Sequence, residues 1–270
     1  PTVDLSEMDT LCGIDMKKTV KNEIIVAGLM LLVILMGTGN TVASRVKGQA
    51  MGHFNFFASL GNAIVYVVLY FSILFTRRGI GATPPEDLTY PWKISSDTES
   101  SLNPIVRIWN KIPPFKYFLL MGLLDGLGNI LGLIAQPYIS GQLGSVMTQS
   151  IVIFSMICAI AILGTRYTYW QMWGATVILG GTMICLFANG LENGQSHFGY
   201  ATIMLFSTLP NALSFTLKEL VFKDRPKLDI FVVNSHGSMF QLALWPIFLP
   251  LTLLFNQTGG EPFGTYIKNG

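Results

Sequence analysis

Seven long apolar runs limit what this chain can fold into more than any other feature. Crossing a hydrocarbon core of about 30 Å takes about 20 predominantly apolar residues in a helix. Runs of that order cover residues 24–43, 54–75, 118–139, 146–163, 170–188, 200–217 and 230–255. A membrane β-barrel would instead show strictly alternating segments of about ten residues, and these runs do not alternate. Gly and Pro interrupt several of them, which helices in lipid tolerate. The expected fold is therefore all-α, a polytopic membrane helix bundle. Composition agrees, with 51% hydrophobic against 12% charged residues and a mean hydropathy of +0.51. So few charges would leave a soluble surface poorly covered. A net charge of +2, with no basic run interleaved with aromatics, also excludes a nucleic-acid binder.

The basic residues orient the runs, because Lys and Arg concentrate in cytosolic loops. Of the 17, only Arg45, Lys47 and Lys268 fall on one side. The other side collects Lys17, Lys18 and Lys21, then Arg77, Arg78, Lys93, Arg107, Lys111 and Lys116, then Arg166, and last Lys218, Lys223, Arg225 and Lys227. The expected N-terminus is cytosolic, with residues 1–22 a polar tail. Seven spans in that orientation are inverted for a G-protein-coupled receptor, and the seventh run lacks the lysine a retinal protein needs. An odd count ending in a polar non-cytosolic loop, in a chain with no initial Met, reads as part of a longer array. The second loop, residues 77–115, is rich in Pro and reads as an irregular cytosolic excursion, with 105–109 along the membrane surface. Asn256-Gln257-Thr258 is a glycosylation sequon beside the end of the last run.

Residues spaced i, i+4 and i+7 share one helix face. In that register lie Asn55, Ser59, Asn62 and Tyr66 in the second run and Asp125, Asn129, Gly132 and Gln136 in the third. The sixth carries Ser207, Asn211, Ser214 and, at its cytosolic end, Lys218; the seventh carries Asn234, Ser238 and Gln241. The fourth offers a weaker set, Thr148, Gln149 and Ser155. For any one Asn or Ser the simpler reading is interhelical glue, at about 0.6 kcal/mol each. Continuous stripes on four helices ask for more than glue. They cannot cheaply face lipid, so they are expected to converge on a shared interior, as a solute pathway requires. Asp125 is the acidic residue deepest in a span, and such a group is by default a functional candidate. It could attract a cationic solute, carry a coupling proton or act as a hydrogen-bonded strut. His236 could relay protons, against the simpler reading of a histidine satisfied by neighbouring Ser and Asn. Gly122/Gly126 and Gly128/Gly132 form two small-xxx-small pairs on the third run, and Gly174, Gly180 and Gly181 thin the fifth, both signs of close packing.

The negative readings are equally definite. Cys12, Cys158 and Cys185 share no metal-ligand spacing, and the last two read as apolar fillers. No cofactor or metal motif is present. An intramembrane aspartyl protease needs two carboxylates sharing a proton, and no second acid lies within a run, so an enzyme is not expected. A non-transporting or assembly-dependent membrane protein remains the alternative to a transporter.

A short internal echo links the first and sixth runs: Gly39-Asn40 followed by Ser44 and Arg45, and Pro210-Asn211 followed by Ala212, Ser214 and Lys218. The two runs would cross the membrane in opposite directions, as inverted transporter repeats do. The chain also resembles the chloroquine resistance transporter family of the drug/metabolite transporter superfamily. The resemblance rests on Gly39-Asn40 with Ala43 and Arg45, Leu124-Asp125, Gln149, Arg166-Tyr167 with Tyr169, and Gly174-Ala175. It continues in Leu209-Pro210, Ser214, Glu219, Val221-Phe222-Lys223, Asp229-Ile230, Asn234 and Phe240-Gln241-Leu242. It implies ten helices in two inverted five-helix repeats, around a cavity that opens to each side in turn. On that pattern residues 23–190 are the first repeat, 198–255 hold two helices of the second, and 256–270 begin a non-cytosolic loop. Family members move small cationic or peptide-like solutes out of an acidic vacuole with protons, while plastid relatives handle thiol compounds. The implied location is a vacuolar or lysosomal-type membrane, with the plastid envelope as alternative. The implied partners are the lipid bilayer, a small-molecule solute and protons. Asn40, Asp125, Gln149 and Ser214 fall at cavity-lining positions of the family, and the stripes add Asn62, Asn129, Asn211, Asn234 and Gln241. The second loop is longer than in the founding members, and the last three helices and the cysteine-bearing lumenal loop are absent from this sequence.

Overall fold

The computed structural model describes residues 23, 25–44, 46–47, 54–92, 113–193 and 195–250. The expected tail 1–22 with Cys12, the loop stretch 93–112 and the segment 251–270 with its sequon lie outside the described residues. The chain falls into two units, Pro1–Lys47 and Gly48–Gly270. The first holds one apolar helix, α1 (Ile25–Ser44). Its threonines are satisfied within the helix, Thr38 donating to the Ile34 carbonyl and Thr41 to that of Gly37.

The described residues of the second unit are mostly helical, and no strand occurs among them. Its helices are α2 (Asn55–Gly79), α3 (Pro85–Thr89), α4 (Phe115–Ala135), α5 (Gly141–Thr148), α6 (Ile151–Cys158), α7 (Tyr169–Asn193), α8 (Gln195–Asp224) and α9 (Ile230–Leu244). Among the described residues, five stretches are long and apolar enough to cross a bilayer: Ile25–Ser44, Ser59–Gly79, Phe115–Tyr138, Gly141–Leu163 and Tyr169–Ala188. The sixth expected run and the described part of the seventh are helical but fall outside that group. At 30 residues α8 has length to spare, since each residue rises about 1.5 Å. Its polar stripe is what dilutes its apolarity. α9 has 15 residues and runs into a tight turn at Trp245–Phe248.

Apolar packing sets the directions of these helices. Leu74 near the end of α2 and Phe118 near the start of α4 share one buried cluster with Val221, Val232 and Val233. Phe56 near the start of α2 shares another with Ile130, Ile134, Trp245 and Phe248. A third, Leu143, Met147, Leu186, Ala201 and Leu205, joins α5, α7 and α8. α2 and α4, α4 and α8, and α7 and α8 therefore run antiparallel, while α5 and α6 continue one span. α4 is held between α8 and α9, α2 lies against α9, and α5 to α7 lie along α8. Tyr169 and Trp170 open α7 at 89% and 82% exposure, as amphipathic rings do at a membrane–water interface.

The two glycine pairs of α4 serve two neighbours. A Cβ on Gly122 would stand 2.6 Å from the Gln241 backbone nitrogen, and one on Gly126 2.5 Å from the Phe248 ring, so this pair seats α9 and the turn beyond it. A Cβ on Gly128 would overlap the Asn211 carboxamide, and one on Gly132 would touch Ser207, so the second pair seats α8. The fifth run differs from expectation. Gly174, Gly180 and Gly181 have nothing within 4 Å of an added Cβ among the described residues.

Three local breaks mark the fourth and sixth runs. Between α5 and α6 the backbone tightens, with Gln149 and Ser150 donating to carbonyls only three residues back. It then widens into a π turn at Ala159–Leu163, ended by Gly164 at φ 64°, the left-handed conformation glycine adopts without Cβ strain. In α8, Pro210 withholds the N–H that the Phe206 carbonyl would otherwise accept. The second loop is more ordered at its start than its composition suggests. Pro84-Pro85 begins α3, and Tyr90–Trp92 form a further turn packed on the bundle.

Candidate functional site

The site is built where the stripes of α4 and α8 meet. Asp125 lies midway along α4, and its Oδ2 accepts a hydrogen bond from Lys218 Nζ at 3.0 Å. Both side chains keep about a fifth of their surface accessible, 20% for Asp125 and 21% for Lys218. The ammonium also lies 5.1 Å from the centre of the Phe215 ring, close enough for a cation–π attraction. The sixth run was expected to end at residue 217, leaving Lys218 at its edge. The helix instead continues to Asp224, so Lys218 stands inside the bundle and reaches the carboxylate. Sequence reasoning left Lys218 out of the site, although its register with Ser207, Asn211 and Ser214 was the available signal.

Around the pair the same two helices fit closely. The Asn211 carboxamide presses on Gly128, one turn from Asp125. Ser214 sits between Asn211 and Lys218 on α8, fully buried, and its hydroxyl has no partner among the described residues. The next polar residue of the α4 stripe, Asn129, is exposed. From α2, Tyr66 and Tyr70 stack at 6.1 Å, and Tyr70 lies within electrostatic range of Asp125. Asn62, one turn before Tyr66, is exposed.

The remaining expected residues are spread more widely. Gln149 is exposed at the tight turn of the fourth run, while its neighbour Ser150 is buried with its hydroxyl 2.9 Å from that of Thr208 on α8. Asn234 and Gln241 are half-buried on α9, where Gln241 meets Gly122 through its backbone. His236 is buried, with Nδ1 2.8 Å from the Val232 carbonyl and its ring among Phe71, Phe118 and Trp92. Backbone and aromatic rings surround it, rather than the expected Ser and Asn. Asn40 lies on α1, in the other unit. No cluster of three or more His, Cys, Asp or Glu that could hold a metal occurs among the described residues.

A second polar cluster closes one end of the unit. Asp229 caps α9 by accepting from the Phe231 N–H, and it also accepts from Arg77 at 2.9 Å and from Thr83. Its own N–H donates to Asp87 of α3. The Arg77 guanidinium lies over Phe231, and Arg225 over Tyr90. Burial pushes the Asp229 carboxyl up, but the hydrogen bonds from Thr83, Phe231 and Arg77 and the Arg77 charge outweigh it, holding the group below the usual carboxylate range.

Antiparallel apolar helices that enclose an ion pair and a polar seam define a polytopic helical membrane protein. The chain belongs to the chloroquine-resistance transporter-like family, whose model matches residues 102–265. It is similar to the protein "CLT1, chloroplastic" of Arabidopsis thaliana, at 28% identity over 87% of this chain and 49% of that protein. It is also similar to "CLT2, chloroplastic" of the same plant, at 28% over 92% and 54%. The "Chloroquine resistance transporter" of Toxoplasma gondii matches at 23% identity over 85% of this chain and 24% of that protein. The chain thus spans about half the length of the plant relatives.

Proposed function

We propose that the chain is part of a secondary transporter that moves small solutes across an organelle membrane by alternating access, coupled to protons. The observation that carries this reading is the Asp125–Lys218 pair. Two charges held between apolar helices are costly, and charged groups kept within membrane helices mark solute and ion pathways. Support comes from the exposed Asn129, one turn beyond Asp125, and from the family, one relative being named as a transporter. The solutes are cationic metabolites or drugs, amino acids and small peptides, with Asp125 reading charge. Asn40, Gln149, Asn211, Ser214, Asn234 and Gln241 line the wider path, with His236 as a second proton-coupling candidate. On this reading residues 23–190 form a first five-helix repeat and 198–255 the opening of its inverted partner. The N-terminus is cytosolic, which keeps most loop Lys and Arg on that side. The membrane is vacuolar or a plastid envelope; the chloroplast label of the plant relatives favours the second.

The test is uptake into proteoliposomes with and without a pH gradient. Radiolabelled leucine, arginine, dialanine and tetraethylammonium serve as probes. Saturable uptake of at least one, accelerated by the gradient and lowered tenfold or more by Asp125→Asn, is expected. Uptake no faster than in empty liposomes for every probe would sink the transporter reading, and unchanged gradient dependence in Asp125→Asn would remove Asp125 from coupling.

A further inference from the structure

The Asp125–Lys218 pair is poorly satisfied for one enclosed between helices. A carboxylate accepts about four hydrogen bonds and an ammonium donates three. Among the described residues, one bond joins them and neither makes another. Lys218 has the Phe215 ring beside it, and Asp125 keeps its second oxygen free. A pair in such surroundings is favourable only when its remaining lone pairs and protons find partners. The described residues leave about a fifth of each side chain uncovered. Beside them the buried Ser214 hydroxyl is also unpaired.

Two unsatisfied groups of opposite charge, 3.0 Å apart, ask for a ligand with the complementary two charges. A simple cation would satisfy Asp125 and strand Lys218; a simple anion would do the reverse. A solute carrying an ammonium and a carboxylate close together offers hydrogen bonds to both without adding net charge. We infer that Lys218 is a specificity-determining residue, reading the carboxylate of a zwitterionic solute while Asp125 reads its ammonium. Phe215, beside the Lys218 ammonium, supplies an apolar face for the solute's uncharged part. This inference rests on the transport reading above, and deepens it by assigning the second half of the recognition.

Dialanine, its C-terminal amide and its N-acetyl derivative, compared in the same proteoliposomes at neutral pH, test the assignment. The parent is expected to compete at least tenfold better than either derivative. Lys218→Gln abolishes the preference for the free acid over the amide but keeps the preference for the free amine; Lys218→Arg keeps both. Removing one partner strands a charge and could unfold the seam, so Asp125→Asn/Lys218→Gln removes both together and is expected to lose both preferences. A Lys218→Gln protein that still prefers the free acid tenfold overturns the inference. So does a wild-type protein that carries tetraethylammonium and ignores all three peptides, while leaving transport itself standing. Failure of every probe in the wild-type protein would remove the transport reading and this inference with it.

Discussion

Asp229 shows how one side chain can join three elements. Its carboxylate caps α9, holds Arg77 of α2 and takes the Thr83 hydroxyl, while its N–H fixes α3 through Asp87. Losing an N-cap costs about 0.5–2 kcal/mol. The Arg77 bond adds less than a fully buried pair would, because that side chain is 42% exposed. Asp229→Ala should therefore destabilise the protein by about 1–3 kcal/mol in detergent-based thermal unfolding. The pH dependence has a fixed sign. The folded carboxyl lies below its unfolded range, so its stabilisation is complete above that range and is lost as pH falls through the lowered folded value. The Tm gap between wild type and Asp229→Asn should persist at neutral pH and close only in acid. A gap that widened on acidification would contradict the assignment. Ser150 is a smaller case: Ser150→Ala should cost about 1 kcal/mol, since its hydroxyl bonds the Met147 carbonyl beside Thr208.

At the scale of the element, the glycines of α4 and α7 separate two roles that look alike in sequence. A methyl on Gly122 meets the α9 backbone at 2.6 Å, and backbone cannot step aside as a flexible side chain can. Gly122→Ala should cost about 1–3 kcal/mol, the usual range for overpacking. Gly132→Ala places its methyl 3.8 Å from Ser207 Oγ, an ordinary contact, and should be near neutral. Gly180→Ala meets nothing within 4 Å and should gain about 0.4–1 kcal/mol from the stiffer unfolded chain. Melting temperatures of the three variants check the order. The spacing of the α4 glycines made close packing legible; which neighbour each pair seats was not. α7 has the same small residues without a partner among the described residues, because a small side chain permits an approach without causing one. Helix ends were legible to a few residues; α8 runs on to Asp224, and the contact that mattered, Lys218 with Asp125, was not legible.

For the whole molecule, the accessibility of the polar stripes is the property to measure. If the stripes line a water-filled pathway, Asn62→Cys and Asn129→Cys should label with a membrane-impermeant maleimide, both positions lying uncovered on polar stripes. Asn211→Cys should label at least tenfold more slowly, because that side chain is pressed onto Gly128. Equal labelling at all three would show that the α4–α8 seam opens in solution. Much of this architecture follows from the sequence alone. Apolar runs of about 20 residues leave a chain in lipid almost no choice but helices, because each backbone group must find its partner within its own segment. The period of 3.6 then determines which polar residues share a face. Face and helical class were therefore readable one segment at a time. Pairing was decided only in three dimensions, since it depends on which helices lie side by side and on where side-chain tips meet. Asp125 and Lys218 are 93 positions apart, and their approach comes from Gly128 and Gly132 admitting α8 against α4. His236 belongs to a polar stripe by register, yet tertiary packing turns its ring into Phe71, Phe118 and Trp92 and gives its nitrogen a backbone carbonyl. Helical periodicity assigns a residue to a face; only the neighbouring helices decide whether that face meets a charge, a ring or open space.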